Sequence, residues 1–238
     1  MKASGHWRPS KDTDKISSEL RLGGRKKVVI RVLIADDHAI FHRGVSEILA
    51  RSLKDVICGA AENADQVLNQ VQNQNWDLVI LDITMPGRSG LEVLDDLKRM
   101  KPKLPVLVLS MLPEDQYATR VLKAGAAGYV TKGSTAEELI KAIHKVLGGG
   151  RYVTPALAEK LAADLRGDTG RAPHEALSGR EFEIFRMIAS GKTIGQISEE
   201  LHLSITTVST YRARVLDKMN IATNADIIRY ALHNRLVD

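Results

Sequence analysis

"VLIADDH" (Val32–His38) is a short apolar run that ends in two adjacent aspartates. Two carboxylates a few ångströms apart resist full ionisation unless a cation sits between them. A solvated turn after a strand explains a lone Asp–Asp pair equally well, so the surrounding chain has to decide. From Val28 to about Gly148, β-rich runs recur as "VVIRVLIA", "DVICGAA", "DLVILDI", "LPVLVLS" and "AGYVTK". Between them lie the helix-period stretches "IFHRGVSEILARSL", "GLEVLDDLKRM" and "DQYATRVLKAG"; "TAEELIKAIHKVL" follows Ser134, which with Glu137 reads as its capping box. The first, third and fourth runs are continuously apolar, as strands are when helices cover both faces of a parallel sheet. Strand–helix alternation repeated in this way predicts an α/β doubly wound, parallel five-stranded sheet.

The chain has 238 residues, enough for two modest domains. Its 44% hydrophobic and 26% charged content is that of a globular protein. No apolar run approaches the roughly 20 residues that span a bilayer, and the N-terminus lacks the apolar core of a signal peptide. A cytoplasmic location is the expectation. Cys58 is the only cysteine and reads as a small buried hydrophobe. The net charge of +5 is uneven: residues 1–31 carry nine Lys/Arg against three Asp/Glu, while residues 32–150 come to −2 and 176–238 to +1. The basic surplus therefore sits in the tail, and any claim of DNA binding must rest on a motif. His38, His42, His144, His174, His202 and His233 show no metal spacing and read as surface or satisfied side chains.

The organisation predicted is a disordered basic tail over 1–28, the α/β domain over 29–148, a linker over 149–175 and an all-α domain over 176–238. The linker carries a helix, "TPALAEKLAADL", started by Thr154 and Pro155. Four capped helices follow. Ser178 with Glu181 opens the first and Gly191 closes it; Thr193 with Gln196 opens the second, Ser204 the third and Thr223 the fourth. The corner between the second and third is only about three residues, the length of a helix-turn-helix corner.

In a parallel sheet all strands present their C-terminal ends on one edge, where ligands bind. Strand one ends in Asp36 and Asp37, strand three in Asp82, strand four in Ser110 and strand five in Lys132. Three carboxylates make a hard-oxygen site suited to Mg²⁺. Asp82 is then a candidate nucleophile toward a phosphoryl group, with Ser110 and Lys132 holding the transferred oxygens.

The stretches "LIADDH", "LDITMPGRSGLEVL", "VLVLS" and "AGAAGYVTK" resemble the receiver domain of bacterial two-component response regulators over nearly all of residues 29–148. The resemblance implies a flavodoxin-like 2-1-3-4-5 sheet and Asp82 as phosphoacceptor. It implies Mg²⁺ on Asp37, Asp82 and the Thr84 carbonyl, with Asp36 close by. It also implies Thr84, Ser110, Tyr129 and Lys132 as phosphate-binding and switch positions. Two features depart from the commonest pattern. Gly133, not proline, follows Lys132, and Met111 after Ser110 is expected to narrow access to Asp82.

Residues 177–232 resemble the LuxR-type helix-turn-helix domain that closes response regulators of the NarL/FixJ class. At about 100° per residue, Val208, Val215 and Met219 share the core face of the third helix, opposite Thr206, Ser209, Thr210, Ala213 and Asp217. The DNA contacts predicted are Ser209, Thr210 and Ala213 on base edges, and Arg212 and Arg214 on phosphates. Backbone N–H groups at Thr193 and Thr206–Thr207 are further phosphate donors. On the last helix the apolar stripe Ile227, Ile228 and Ala231 offers either a twofold interface or core packing.

The function implied is a transcription regulator that takes a phosphoryl group from a sensor histidine kinase and binds double-stranded promoter DNA. It would act as a homodimer when phosphorylated, with RNA polymerase as a candidate contact. It is no dedicated enzyme, slow autodephosphorylation aside. An aspartyl-phosphate hydrolase is the rival of another class, but it carries an acid/base Asp where this chain has Thr84. A degenerate receiver is a second rival, and the intact acidic set opposes it.

Overall fold

A computed structural model describes residues 29–85, 88–166 and 172–237; the tail expected at 1–28 lies outside them. Five parallel strands, β1 (Ile30–Ala35), β2 (Val56–Ala61), β3 (Leu78–Leu81), β4 (Val106–Ser110) and β5 (Gly128–Thr131), lie in the order β2-β1-β3-β4-β5. Helices α1 (Ala39–Ser52), α2 (Ala64–Asn73), α3 (Gly90–Met100), α4 (Glu114–Lys123) and α5 (Ala136–Leu147) follow the strands in turn.

The period of two in β1 divides the core. Val32 and Ile34 pack with Val45 and Leu49 of α1 and Ile143 and Val146 of α5. Leu33 and Ala35 point to the other face, toward Val67, Leu94, Leu97 and Val121 of α2, α3 and α4. Both faces are covered, which explains the unbroken apolar runs of β3 and β4. One cap differs from expectation. Thr135, not Ser134, caps α5, its hydroxyl accepting from the Glu138 amide at 3.2 Å. The Ser134 hydroxyl is instead 3.0 Å from that of Thr131 at the end of β5.

The order continues beyond the α/β core. Tyr152 bridges to Gly128 beside β5, and its hydroxyl donates to Glu138 at 3.0 Å. Helix α6 (Pro155–Arg166) packs on α4 with Leu157 buried. Thr154 donates to Glu114 at 2.9 Å, and the Lys160 ammonium donates to the Asp115 carbonyl at 2.6 Å. The part of the linker up to Arg166 is thus docked rather than free.

A 3-10 turn (Pro173–Ala176) leads into α7 (Gly179–Ala189), α8 (Ile194–Glu200), α9 (Ile205–Met219) and α10 (Asn224–His233). Ser178, Thr193 and Thr223 each close a capping box, and Ser204 caps α9. Val208, Val215 and Met219 are buried as their spacing predicts. On α10, Ile227 and Ala231 are fully buried and serve the core, while Ile228 of the same stripe is half-buried.

The two domains share a packed seam. Gly179 of α7 approaches α3 so closely that a Cβ there would lie 2.1 Å from a Leu91 methyl. The Tyr117 ring of α4 meets Phe182 of α7 edge-on at 5.2 Å between centroids. Arg120 lies 3.8 Å above the Phe182 ring and donates to the carbonyls of His174 and Leu177.

Candidate functional site

The C-terminal edge of the sheet gathers the residues that the strand ends promised. Asp36 and Asp82 are buried, and the Lys132 ammonium reaches both, 2.7 Å from an oxygen of each. Burial alone would push the Lys132 pKa down; the Asp36 and Asp82 carboxylates outweigh it and hold it above the ordinary lysine value. The ring of Phe41 closes over the ammonium at 4.3 Å. Thr84 covers the other side of Asp82. Its amide donates to Oδ1 at 3.0 Å, and its hydroxyl lies 2.8 Å from both carboxylate oxygens. The candidate nucleophile is therefore 1% exposed, held between a lysine and a threonine.

The approach of α3 sets the loop that carries it. Gly90 presses on that loop: a Cβ there would lie 2.5 Å from the Asp82 carbonyl oxygen and 2.4 Å from the Ile83 Cα. Only hydrogen fits. Ser89 and Glu92 form the capping box that starts α3 at this point.

Asp37 is exposed at the rim, and a histidine stands beside it. Nδ1 of His38 lies 2.8 Å from Asp37 and 3.2 Å from Asp36. The ligand atoms of these three residues fall within 4.8 Å of one another. His42 is buried in α1, with Nε2 2.5 Å from the Asp36 carbonyl. Neither histidine had a metal spacing in sequence; their signal was position, at and just after the mouth of β1. Asp36, Asp37 and Asp82 are hard-oxygen donors, the chemistry that Mg²⁺ takes.

Ser110 and Tyr129 are fully buried. The Ser110 hydroxyl accepts from the Leu112 amide at 3.3 Å, and the Tyr129 hydroxyl donates to the Leu112 carbonyl at 2.7 Å. Burial raises the Tyr129 pKa, so it is a neutral donor here. Met111, expected to narrow access to Asp82, is 70% exposed and turns to solvent. No cis peptide occurs among the described residues, Lys132–Gly133 included.

The second candidate surface is α9. Thr206, Ser209, Thr210, Ala213, Arg214 and Asp217 are exposed along one side. One donor of Arg212 is engaged: its Nε donates to Asn224 at the start of α10 at 2.6 Å. The amides of Thr193 and Thr207 are likewise taken, by Gln196 and Ser204, at 2.8 and 3.0 Å. Tyr211, on the flank of α9, donates to Glu92 of α3 at 3.2 Å. The α/β domain thus touches α9 from the side and leaves its outer row open.

Against known proteins, the family model for the response regulator receiver domain matches residues 32–144, and that for the luxR family of bacterial regulatory proteins matches residues 175–231. The response regulator GacA of Pseudomonas aeruginosa is 36% identical over 211 residues, covering 88% of this chain and 99% of that protein.

The chain belongs to the response regulators.

The response regulator UvrY of Escherichia coli is 32% identical over 209 residues, 87% of this chain and 96% of its own. Among solved structures, RcsB of Salmonella enterica serovar Typhimurium, bound to promoter rprA in the presence of a phosphomimetic, has a TM-score of 0.61 at 26% identity. The match covers 85% of this regulator and 98% of that chain. A second RcsB structure, reported for conformational dynamism in DNA interaction, reaches 0.64 at 27% identity, covering 85% and 96%. This regulator is therefore of the NarL/FixJ class: a receiver domain followed by a LuxR-type DNA-binding domain. None of its described helices is long and apolar enough to cross a membrane.

Proposed function

We propose that Asp82 accepts the phosphoryl group of a sensor histidine kinase and that the helical domain, so released, binds promoter DNA. The observation that carries this is the convergence of Asp82, Asp36 and Lys132 at one edge of the sheet, with Asp37 at its rim. The Asp82 oxygen would attack phosphorus as the P–N bond to the kinase histidine breaks, and the imidazole leaves with a proton. Lys132 is the group placed to follow the charge onto the new phosphoryl oxygens, leaving Asp36. Asp37, Asp82 and the Thr84 carbonyl, with Asp36 beside them, would hold Mg²⁺, which neutralises phosphoryl charge when bound. His38 would then give up its place between the acids. Ser110 and Tyr129 are the hydroxyls able to pass the change toward Leu112 and the end of α4.

The domain boundaries we adopt are 1–28 for the tail, 29–148 for the receiver, 149–175 for the linker and 176–238 for the DNA-binding domain. Ser209, Thr210 and Ala213 are the base-facing candidates on α9, with Thr206 at its start, and Arg212 and Arg214 are the phosphate candidates. RcsB supports this reading: it has been solved as two dimers bound to two parallel DNAs. The protein acts in the cytoplasm as a regulator, without dedicated enzymatic turnover.

The test is Asp82→Asn labelled by a small phosphodonor in Mg²⁺. The amide is a poor nucleophile, so acid-labile phosphate is expected to vanish. Undiminished label on that variant overturns the assignment.

A further inference from the structure

The opposite edge of the sheet, at the N-terminal ends of the strands, carries a cavity of about 650 Å³. Its walls come from the residues that lead into β3, β4 and β5: Asp77, Pro105 and Ala127. Three cations open onto it: Lys98 from α3, Lys103 from the turn after it and Arg151 past the glycine run that ends α5. None of the three has a carboxylate partner among the described residues. Among the described residues, Lys98 donates to the Leu104 carbonyl, at 2.6 Å. Burial first, and the Arg151 charge second, hold its pKa below the ordinary lysine value.

Like charges held together beside a partly buried cavity are unfavourable unless an opposite charge joins them. An anion bound among them would relieve this. Asp77, which lines the same cavity, restricts which anion. Asp77 lines the cavity and already accepts the Arg31 amide at 2.8 Å, so a bare polyanion filling the space would be repelled there. A hydroxyl pair would instead donate to it, as ribose donates to a carboxylate in dinucleotide sites. Pro102, Pro105 and Leu147 add apolar surface for a ring. The volume lies within the roughly 300–1,000 Å³ of small-molecule sites.

We propose that this cavity binds a nucleoside phosphate, with its phosphates on Lys98, Lys103 and Arg151, its sugar hydroxyls on Asp77 and its base against the prolines. The site lies on the far side of the sheet from Asp82 and does not depend on the phosphorylation chemistry.

Calorimetric titration of the full chain with ADP, without added Mg²⁺, tests it, with inorganic pyrophosphate as comparator. One saturable site is expected, weakened about tenfold or more in Arg151→Gln and in Lys103→Gln. Both side chains are exposed, so neither change threatens the fold. Asp77→Asn is expected to weaken ADP and spare pyrophosphate. The proposal is overturned by no saturable binding at millimolar ADP, by ADP binding unchanged in Arg151→Gln and Lys103→Gln, or by pyrophosphate binding as tightly as ADP.

Discussion

Arg120 is one of the side chains through which the receiver grips the DNA-binding domain, and Arg120→Ala should loosen that grip by a calculable amount. The guanidinium donates to the His174 carbonyl, and a charge-assisted bond of this kind contributes about 1.5 kcal/mol. Its second donation, to the Leu177 carbonyl at 3.5 Å, is too long to count for much. The cation lies 3.8 Å over the Phe182 ring, partly desolvated, which contributes about 1–2 kcal/mol. Together these come to about 3 kcal/mol, or roughly a hundredfold in the ratio of closed to open arrangements. The third donation, to the Gln116 carbonyl, lies within the same helix and does not enter. Small-angle X-ray scattering of the unphosphorylated full chain should report a larger radius of gyration for the variant. A promoter titration should show its affinity shifted toward that of the phosphorylated protein. Circular dichroism should show helix content unchanged. A scattering profile superimposable on the parent, with DNA affinity within twofold, would refute the view that this seam restrains the output domain.

Other outcomes follow from single contacts. Lys132→Ala leaves Asp36 and Asp82 facing each other without a cation, at a cost of about 3 kcal/mol; thermal melts should show Mg²⁺ raising the Tm of this variant more than that of the parent. His174 in the seam has its pKa lowered to about 4 by burial and then by the charges of Arg120 and Lys160. Between pH 6.5 and 4 the unfolded chain takes up a proton that the fold refuses, so stability should fall by roughly 2 kcal/mol as pH drops through that window, after allowance for solvent screening. His174→Gln should flatten the fall in urea-melt midpoints. Arg214→Ala should lower the salt slope of DNA binding by about 1. Arg212→Ala should also lower that slope by about 1, and cost about 1 kcal/mol of stability through the lost bond to Asn224.

What the sequence revealed about the site follows from one rule of geometry. Polar residues at the C-terminal ends of parallel strands share an edge, so Asp36, Asp82, Ser110 and Lys132 were legible from their place in each run. Side-chain reach was not legible. Nothing in the spacing of His38 indicated that its ring turns back between two acids, since that depends on the extended backbone before α1. Arg212 was read from helix angle alone, and the angle could not reveal that the N-terminus of α10 would present Asn224 to it. Met111 was read by its neighbour in the chain, yet its rotation out of the sheet edge leaves it in solvent. The seam was the least legible of all. Arg120 and its acceptors are separated by 54 and 57 residues, and no local pattern encodes a pairing of that range.

Glu92 connects the two ends of the molecule. One carboxylate oxygen caps the first turn of α3, beside the loop that holds Asp82, and the other receives the hydroxyl of Tyr211 on α9. A cavity of about 470 Å³ nearby is lined on one side by Asp37 and Thr84 and on the other by Arg186 and Lys192 of the output domain. Coupling of this kind is reciprocal. If phosphorylation frees α9 to meet a promoter, a promoter that captures α9 must favour phosphorylation by the same free energy. An operator occupied by this protein would then be more than a destination. It would serve as a local store of the activated form, and genes with tight operators would go on responding after the incoming stimulus has begun to fade.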